Sequence, residues 1–195
     1  SIIISKKIDK AKVLFRSKAR INDDIYTFKN IGFSKLGFLN LYQKFKLPIH
    51  IKKLSIKQFL NPKFYKYFDL FEKLPINSSM DISDGLYTTL EEMALQSKKK
   101  FTINNIADIN PFLRAFINNE KKYLNLIFSS GEEYIPVFTA SKNIIDSKII
   151  SSFKKRNIEI IKIGSVSRGK GVKIKNFNLT ELNYFDHFNK NYLKL

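Results

Sequence analysis

The chain has 195 residues, 44% of them hydrophobic, and its 35 Lys and Arg residues against 17 Asp and Glu residues give a formal net charge of +18. This length and hydrophobic content allow a buried core and exclude a disordered chain. Cysteine is absent, which excludes disulfide bonds, thiolate metal sites and a cysteine nucleophile. No apolar run reaches the roughly 18 residues of a membrane span and no signal-peptide pattern opens the sequence, so we expect a cytoplasmic protein with no membrane partner.

The positive charge is compatible with a nucleic-acid-binding module, because Lys and Arg clusters release counterions from a phosphate backbone. The lysines are spread along the whole chain, however, and its richness in Ile, Asn, Phe and Tyr indicates a compositional bias. Net charge is also a weak argument for a specific function. A non-enzymatic basic nucleic-acid-binding module therefore stays an alternative, and nucleic acid is not the expected partner.

The hydrophobic patterns predict alternating strands and helices. Strands are predicted at residues 1–5, 24–28, 79–82, 100–103, 134–138 and 159–163. Helices are predicted at residues 34–45, 62–72, 86–97, 111–116 and 143–155. Ser34 is the expected N-cap of the first helix and Pro48 its end, while Pro136 predicts an edge or a bulge. Gly169 and Gly171 predict a hairpin. The fold class is α+β, a mixed β-sheet with helices packed on its faces.

One stretch joins a strand end directly to a helix start, at Asp84 and Gly85. Such a turn leaves backbone N–H groups free at the helix start, which favours an anion there, and it brings Asp81, Ser83 and Asp84 close together. Two carboxylates at a phosphate-binding helix end suit Mg²⁺, which is usually shared between carboxylates and substrate phosphates. The alternative is that Asp84 only caps the helix.

This stretch, Met-Asp-Ile-Ser-Asp-Gly-Leu at residues 80–86, resembles the Asp-Ile-Ser-Asp-Gly-Leu signature of thiamine-monophosphate kinase, a family of the aminoimidazole ribonucleotide synthetase-like ATP-binding superfamily. Four further segments resemble motifs of the family in the expected order. They are Arg-Ser-Lys-Ala-Arg-Ile-Asn-Asp at 16–23 (family Arg-Ser-Gly-Ala-Lys-Pro-Gly-Asp), Ile-Gly-Phe-Ser at 31–34 (Leu-Gly-Asp-Ser), Ser-Gly-Glu-Glu-Tyr at 130–134 (Gly-Gly-Glu-Asp-Tyr) and Tyr-Phe-Asp-His-Phe at 184–188 (Gly-Tyr-Asp-His-Phe). An acidic residue of the family is replaced by Ile135.

The resemblance implies ATP- and Mg²⁺-dependent phosphorylation of thiamine phosphate to thiamine diphosphate. The implied contacts are Asp81 and Asp84 to Mg²⁺, Arg16 and Ser83 to ATP, and Glu132 and Phe185 to thiamine phosphate. No residue is assigned as a covalent catalyst, because phosphoryl transfer depends on positioning and charge neutralisation. Another enzyme of the superfamily, such as the hydrogenase maturation protein or a purine-pathway synthetase, is an alternative.

The resemblance also implies a division of the chain. Residues 1–14 resemble the last strand of the family's N-terminal domain, and residues 15–195 resemble its C-terminal α+β domain. Further Mg²⁺-binding aspartates and the dimer contacts of the superfamily belong to that N-terminal domain, and nothing in this sequence matches those aspartates. We therefore expect an incomplete chain that is not a competent kinase alone, and homodimerisation through the missing domain.

Overall fold

A computed structural model describes residues 13–43 and 47–182. The predicted strand at residues 1–5 and the candidate ligand Phe185 lie outside these ranges. The strands are β1 (Asp23–Phe28), β2 (Ile76–Asp81), β3 (Lys100–Ile103), β4 (Pro136–Ser141), β5 (Ile160–Ser167) and β6 (Gly171–Ile174). The helices are α1 (Phe33–Gln43), α2 (Ile49–Leu60), α3 (Phe68–Phe71), α4 (Leu86–Ser97), α5 (Pro111–Phe116), α6 (Glu120–Phe128) and α7 (Ser147–Lys154), and a 3-10 turn follows at Leu179–Glu181. In these ranges no helix is both long enough and apolar enough to span a bilayer.

The strands form one mixed sheet in the order β2-β4-β1-β5-β3-β6. Neighbouring strands are antiparallel except β3 and β6, which are parallel. The predicted α+β class is therefore confirmed. The predicted hairpin at Gly169 and Gly171 is wrong, because β5 already pairs with β1 and β3 on its two sides, so β6 crosses to the free side of β3.

β1 lies in the interior of the sheet and all six of its residues are buried, including two aspartates. The Asp23 carboxylate accepts a hydrogen bond from the Thr139 hydroxyl at 2.9 Å, and the Asp24 carboxylate lies 2.7 Å from the Lys162 ammonium. Burial alone would raise the pKa of Asp24. The hydrogen bond from Lys162 and further contacts together outweigh burial, so the pKa is lowered. The two carboxylates thus hold β1 to its neighbours.

The aromatic segment after α2 is not the long helix that the sequence predicts at residues 62–72. Only Phe68–Phe71 is helical. Asn61 ends α2 with an extended φ of −141°, since a residue before proline is disfavoured in the helical region. Phe71 is buried in the core, whereas Phe64 is 72% exposed.

Helix α2 was not predicted, because the sequence pattern assigns Pro48 only to the end of the preceding helix, whereas Pro48 is the N-cap of α2. α1 and α2 pack at very close range. A methyl group at Gly37 would lie 2.1 Å from the Ser55 carbonyl oxygen, so only glycine allows the two backbones to approach this closely. Ser34 lies inside α1 and is not its N-cap, since α1 begins at Phe33.

Two other predicted boundaries also differ. α7 begins at Ser147 and not at residue 143, because the Asp146 side chain accepts a hydrogen bond from the Ile149 N–H at 2.9 Å and caps the helix. β4 lies between β2 and β1 and is not an edge strand. Its proline is tolerated because Pro136 is the first residue of the strand, where a missing N–H costs little.

Gly37→Ala should lower the free energy of unfolding by about 1 to 3 kcal/mol, because the added methyl group forces α1 and α2 apart. Urea unfolding followed by far-UV circular dichroism measures the effect. Lys53→Ala, at an exposed position of α2, is the control and should stay within about 0.5 kcal/mol of the wild type. Equal stability of Gly37→Ala and the control would contradict the close packing of these helices.

Candidate functional site

The turn between β2 and α4 leaves Ser83 and Asp84 accessible and buries Ile82, which attaches the turn to the neighbouring loop. Ile82 is fully buried, and its N–H donates to the Ile135 carbonyl at 2.9 Å. Gly85 follows with a φ of +131°, a conformation that side chains disfavour, and a methyl group there would lie 3.2 Å from the Phe128 carbonyl. The abrupt passage from strand to helix predicted at this position is confirmed.

Asp84 does not cap α4. The N-cap position is Gly85, and no side chain of the described residues makes a capping hydrogen bond there. Asp84 is exposed, and within the described residues its carboxylate has no hydrogen-bond or salt-bridge partner. The purely structural alternative is therefore not supported, and the carboxylate is available to a ligand.

The loop between α6 and β4 is joined to this turn by its backbone. The Glu132 N–H donates to the Ser83 carbonyl at 2.6 Å, and the Glu133 N–H donates to the Ile82 carbonyl at 3.2 Å. A methyl group at Gly131 would lie 2.5 Å from the Ser83 carbonyl oxygen. Two motifs almost fifty residues apart in sequence are thereby held in direct contact.

A cavity of about 310 Å³ opens where the turn and the loop meet the α1–α2 pair. Its lining residues are Ser34, Lys35, Phe38, Phe59, Ser83, Asp84, Ser129, Gly131 and Glu132. Of the residues predicted from the sequence, the cavity brings together Ser83, Asp84 and Glu132. Carboxylates, hydroxyls, one ammonium group and two aromatic rings share this space, a composition suited to a small ligand with both a charged and an aromatic part.

The other predicted site residues lie elsewhere. Asp81 is exposed at the end of β2 and is not among the residues that line the cavity. Arg16 lies along α4, with its Nη1 3.9 Å from the Glu92 Oε2 and its carbonyl accepting from the Ser97 hydroxyl at 3.2 Å. Glu92 is six residues into α4, about 9 Å along its axis from the cavity end. Within the described ranges no three His, Asp or Glu side chains are grouped as a metal site.

Lys35 is a cavity residue that sequence reasoning missed. It is only 9% exposed, and its Nζ donates to the Ser129 Oγ at 2.5 Å. Burial lowers the pKa of the Lys35 ammonium to about 8. The available signal was its position one residue after Ser34 at a predicted helix start, where the helix dipole disfavours a cation.

Glu133 is a second missed residue, and it is buried behind the cavity. Its Oε1 accepts hydrogen bonds from the Gly32 N–H at 2.8 Å and from the Ser130 hydroxyl at 2.5 Å. Burial raises the pKa of the Glu133 carboxyl to about 7, against the opposing effect of hydrogen bonds from Ser130, Gly32 and Ser34. Glu133 therefore ties the loop to the first turn of α1, where the helix dipole favours a carboxylate.

No family model matches the chain, but individual proteins do. The chain is 37% identical over 170 residues to the thiamine-monophosphate kinase of Nitrosopumilus maritimus, and the match covers 86% of this chain and 53% of that protein. The resemblance to thiamine-monophosphate kinases is confirmed. The chain spans about half the length of the thiamine-monophosphate kinases that it matches.

Solved structures show the same fold. The thiamine-monophosphate kinase of Stenotrophomonas maltophilia superposes with a TM-score of 0.71 at 20% identity, over 86% of this chain and 54% of that one. A structure described as AaThiL complexed with AMPPCP and TMP superposes with a TM-score of 0.63 at 23% identity, over 85% of this chain and 52% of that one. A hydrogenase maturation protein also shares the fold, with a TM-score of 0.61 at 16% identity over 93% of this chain and 58% of that one. The fold alone therefore does not distinguish the thiamine-monophosphate kinases from the hydrogenase maturation protein.

The raised pKa of Glu133 predicts a pH dependence of stability. Between about pH 4.5 and 7 the folded chain retains a proton that the unfolded chain loses, so the free energy of unfolding should fall as pH rises through this window, by about 3 kcal/mol at most. Glu133→Gln removes the titration and should flatten this part of the profile.

Urea unfolding at pH 5 and at pH 7.5 measures the difference between the variant and the wild type. Glu132→Gln is the matched control, because Glu132 is the adjacent residue and is exposed. It should keep the wild-type slope. A Glu133→Gln slope equal to that of the wild type would show that Glu133 is not the titrating group.

Proposed function

We propose that this chain forms part of a thiamine-monophosphate kinase, which transfers a phosphoryl group from ATP to thiamine phosphate and yields thiamine diphosphate. The observation that carries the proposal is the cavity in which Ser83 and Asp84 from one motif meet Glu132 from another. The 37% identical relative bears the same name. That identity favours this activity over the other enzymes that share the fold.

Mg²⁺ is the proposed cofactor, and the residues present fit it. Asp84 offers a carboxylate on the cavity that has no partner among the described residues, and Asp81 offers an exposed carboxylate three residues earlier. A Mg²⁺ site needs only one or two protein carboxylates, because water and phosphate oxygens complete the coordination. When bound, Mg²⁺ would neutralise phosphate charge. The two aspartates would hold the metal at the strand end and helix start.

Nucleotide binding is proposed for Ser83 and Arg16. The Ser83 hydroxyl lies at the cavity beside the start of α4, where free backbone N–H groups favour phosphate oxygens. Arg16 is about half exposed and its contact with Glu92 is long, at 3.9 Å. An exposed pair of this kind is weak, so the guanidinium is free to turn towards a phosphate that extends along α4.

Substrate binding is proposed for Glu132 and Phe185. The exposed Glu132 carboxylate on the cavity accepts hydrogen bonds of the kind an aminopyrimidine donates. Phe185, outside the described residues, would stack on the substrate ring or lie over the thiazolium cation. We further propose that the active form is a homodimer, joined through the N-terminal domain that the sequence resemblance implies.

Asp84→Asn and Asp81→Asn should each weaken metal binding by at least about tenfold, since loss of even an outer-shell partner costs that much. Mn²⁺ replaces Mg²⁺ as the probe, and electron paramagnetic resonance counts the free metal in the presence of AMPPCP. Asp108→Asn, an exposed aspartate outside the cavity, is the control and should leave the affinity unchanged. Wild-type affinity in Asp84→Asn would overturn the metal assignment.

The 195-residue chain alone should form thiamine diphosphate very slowly, because two carboxylates leave the triphosphate charge poorly neutralised. Adding the part of the Nitrosopumilus maritimus relative that this chain does not match should increase turnover. The assay follows thiamine diphosphate by fluorescence after oxidation to thiochrome, with heat-denatured partner as the control. Full turnover by the chain alone would show that no further segment is required.

A further inference from the structure

Lys35 combines burial with access to the cavity. Its side chain is 9% exposed and lines the cavity wall. Its Nζ donates to the Ser129 Oγ at 2.5 Å, and the Ser129 hydroxyl in turn donates to the Asn125 carbonyl. An ammonium group has three N–H donors, and two of those of Lys35 have no partner among the described residues. Ser129 thus fixes a cation whose remaining donors are available to a ligand.

No structural contact of the described chain compensates this charge. No carboxylate there lies within 4 Å of the Lys35 ammonium. Burial lowers its pKa to about 8, and its position in the first turn of α1 sets it against the helix dipole. A buried charge without a counter-charge is costly, and perturbed groups of this kind cluster at functional sites.

We propose that the Lys35 ammonium binds a phosphate oxygen of the ligand that occupies this cavity. The inference rests on the proposed function, which requires a phosphate in this space. A phosphate dianion supplies the counter-charge that the buried ammonium lacks and accepts its two free N–H groups in charge-assisted hydrogen bonds. Lys35 is then a binding residue that supplements the metal in neutralising phosphate charge.

The rest of the lining favours the phosphate of thiamine phosphate over that of the nucleotide. Phe38 and Phe59 present half-buried rings to the cavity with centroids 5.6 Å apart. Such rings pack against an aromatic heterocycle or a cationic ring, and Glu132 offers an acceptor on the same cavity. A ligand with an aromatic cationic body and one phosphate matches this set.

Calorimetric titration of the full 195-residue chain tests the proposal. Two pairs of ligands each compare a phosphate-bearing molecule with its phosphate-free counterpart, thiamine phosphate with thiamine and AMPPCP with adenosine, and inorganic phosphate is the fifth ligand. Lys35→Met should lower the affinity for thiamine phosphate by about ten- to a hundredfold, the usual contribution of hydrogen bonds to a charged group. The affinity for thiamine should be unchanged. Lys35→Arg should retain most of the affinity. Lys53→Met, an exposed lysine of α2, removes the same charge outside the cavity and should bind like the wild type.

Two further readouts separate a binding role from a structural one. Unliganded Lys35→Met should unfold at a higher urea concentration than the wild type, because a buried cation is removed. The affinity of the wild type for thiamine phosphate should fall as pH rises above about 8, and that of Lys35→Arg should not. The other titratable groups at this site are Asp84 and Glu132, which also line the cavity, and Glu133, which accepts a hydrogen bond from Ser130. Because all three are retained in Lys35→Arg, the comparison of the two pH profiles isolates the contribution of Lys35.

The outcomes distinguish this proposal from the proposed function. If Lys35→Met lost affinity for AMPPCP but not for thiamine phosphate, the proposed contact between Lys35 and a phosphate would stand and would be assigned to the nucleotide. Loss of inorganic phosphate binding in Lys35→Met, together with a failed kinase assay, would retain the phosphate contact and remove the proposed function. Equal affinities of wild type and Lys35→Met for all three phosphate ligands, no binding of any of them to the wild type, or a Lys35→Met variant that is less stable than the wild type would overturn the proposal.

Discussion

The candidate site depends on the backbone contact between the loop that follows α6 and the turn that follows β2. The N–H groups of Glu132, Glu133 and Tyr134 all donate to the carbonyls of Ser83 and Ile82. These bonds satisfy the carbonyl groups of the turn and fix the separation of the two motifs. Because the contact is between backbones, the side chains of Ser83, Asp84 and Glu132 are left to line the cavity.

Two buried groups of opposite charge, Glu133 and Lys35, lie at the first turn of α1. The buried Glu133 carboxylate accepts from the Gly32 N–H and so complements the positive end of the helix dipole. Lys35, one helical turn away, stands against the same dipole and is anchored by Ser129. Both charges bond the loop to the helix, but Glu133 accepts two hydrogen bonds there, whereas Lys35 makes one, to Ser129, and keeps two N–H donors that have no partner among the described residues. This asymmetry is the reason to connect Lys35 with a ligand and Glu133 with the architecture.

Local features of the fold were predictable from the sequence, and long-range pairings were not. The turn at Gly85 and the helix α4 follow from apolar spacing and a glycine, and both are confirmed. Pro48 and Pro62 carry equally strong local signals, but proline is compatible with either side of a helix boundary, and the sequence alone placed α2 outside a helix. The pairing of β6 with β3 depends on which sheet edge is free, and no pattern within either strand records that.

The site was predictable to the extent that its residues stand in recognisable motifs. Ser83, Asp84 and Glu132 met that condition, and the fold brings them to one cavity. Lys35 is not part of such a motif. In a chain with a net charge of +18, a lysine is expected to be a solvated surface residue unless its burial is known. The surroundings of Lys35 come from segments distant in sequence, since its ammonium contacts Ser129, and Phe59 of α2 lines the same cavity. The electrostatic effect of a charge depends on the dielectric around it, and that dielectric is set by the packing of segments distant in sequence.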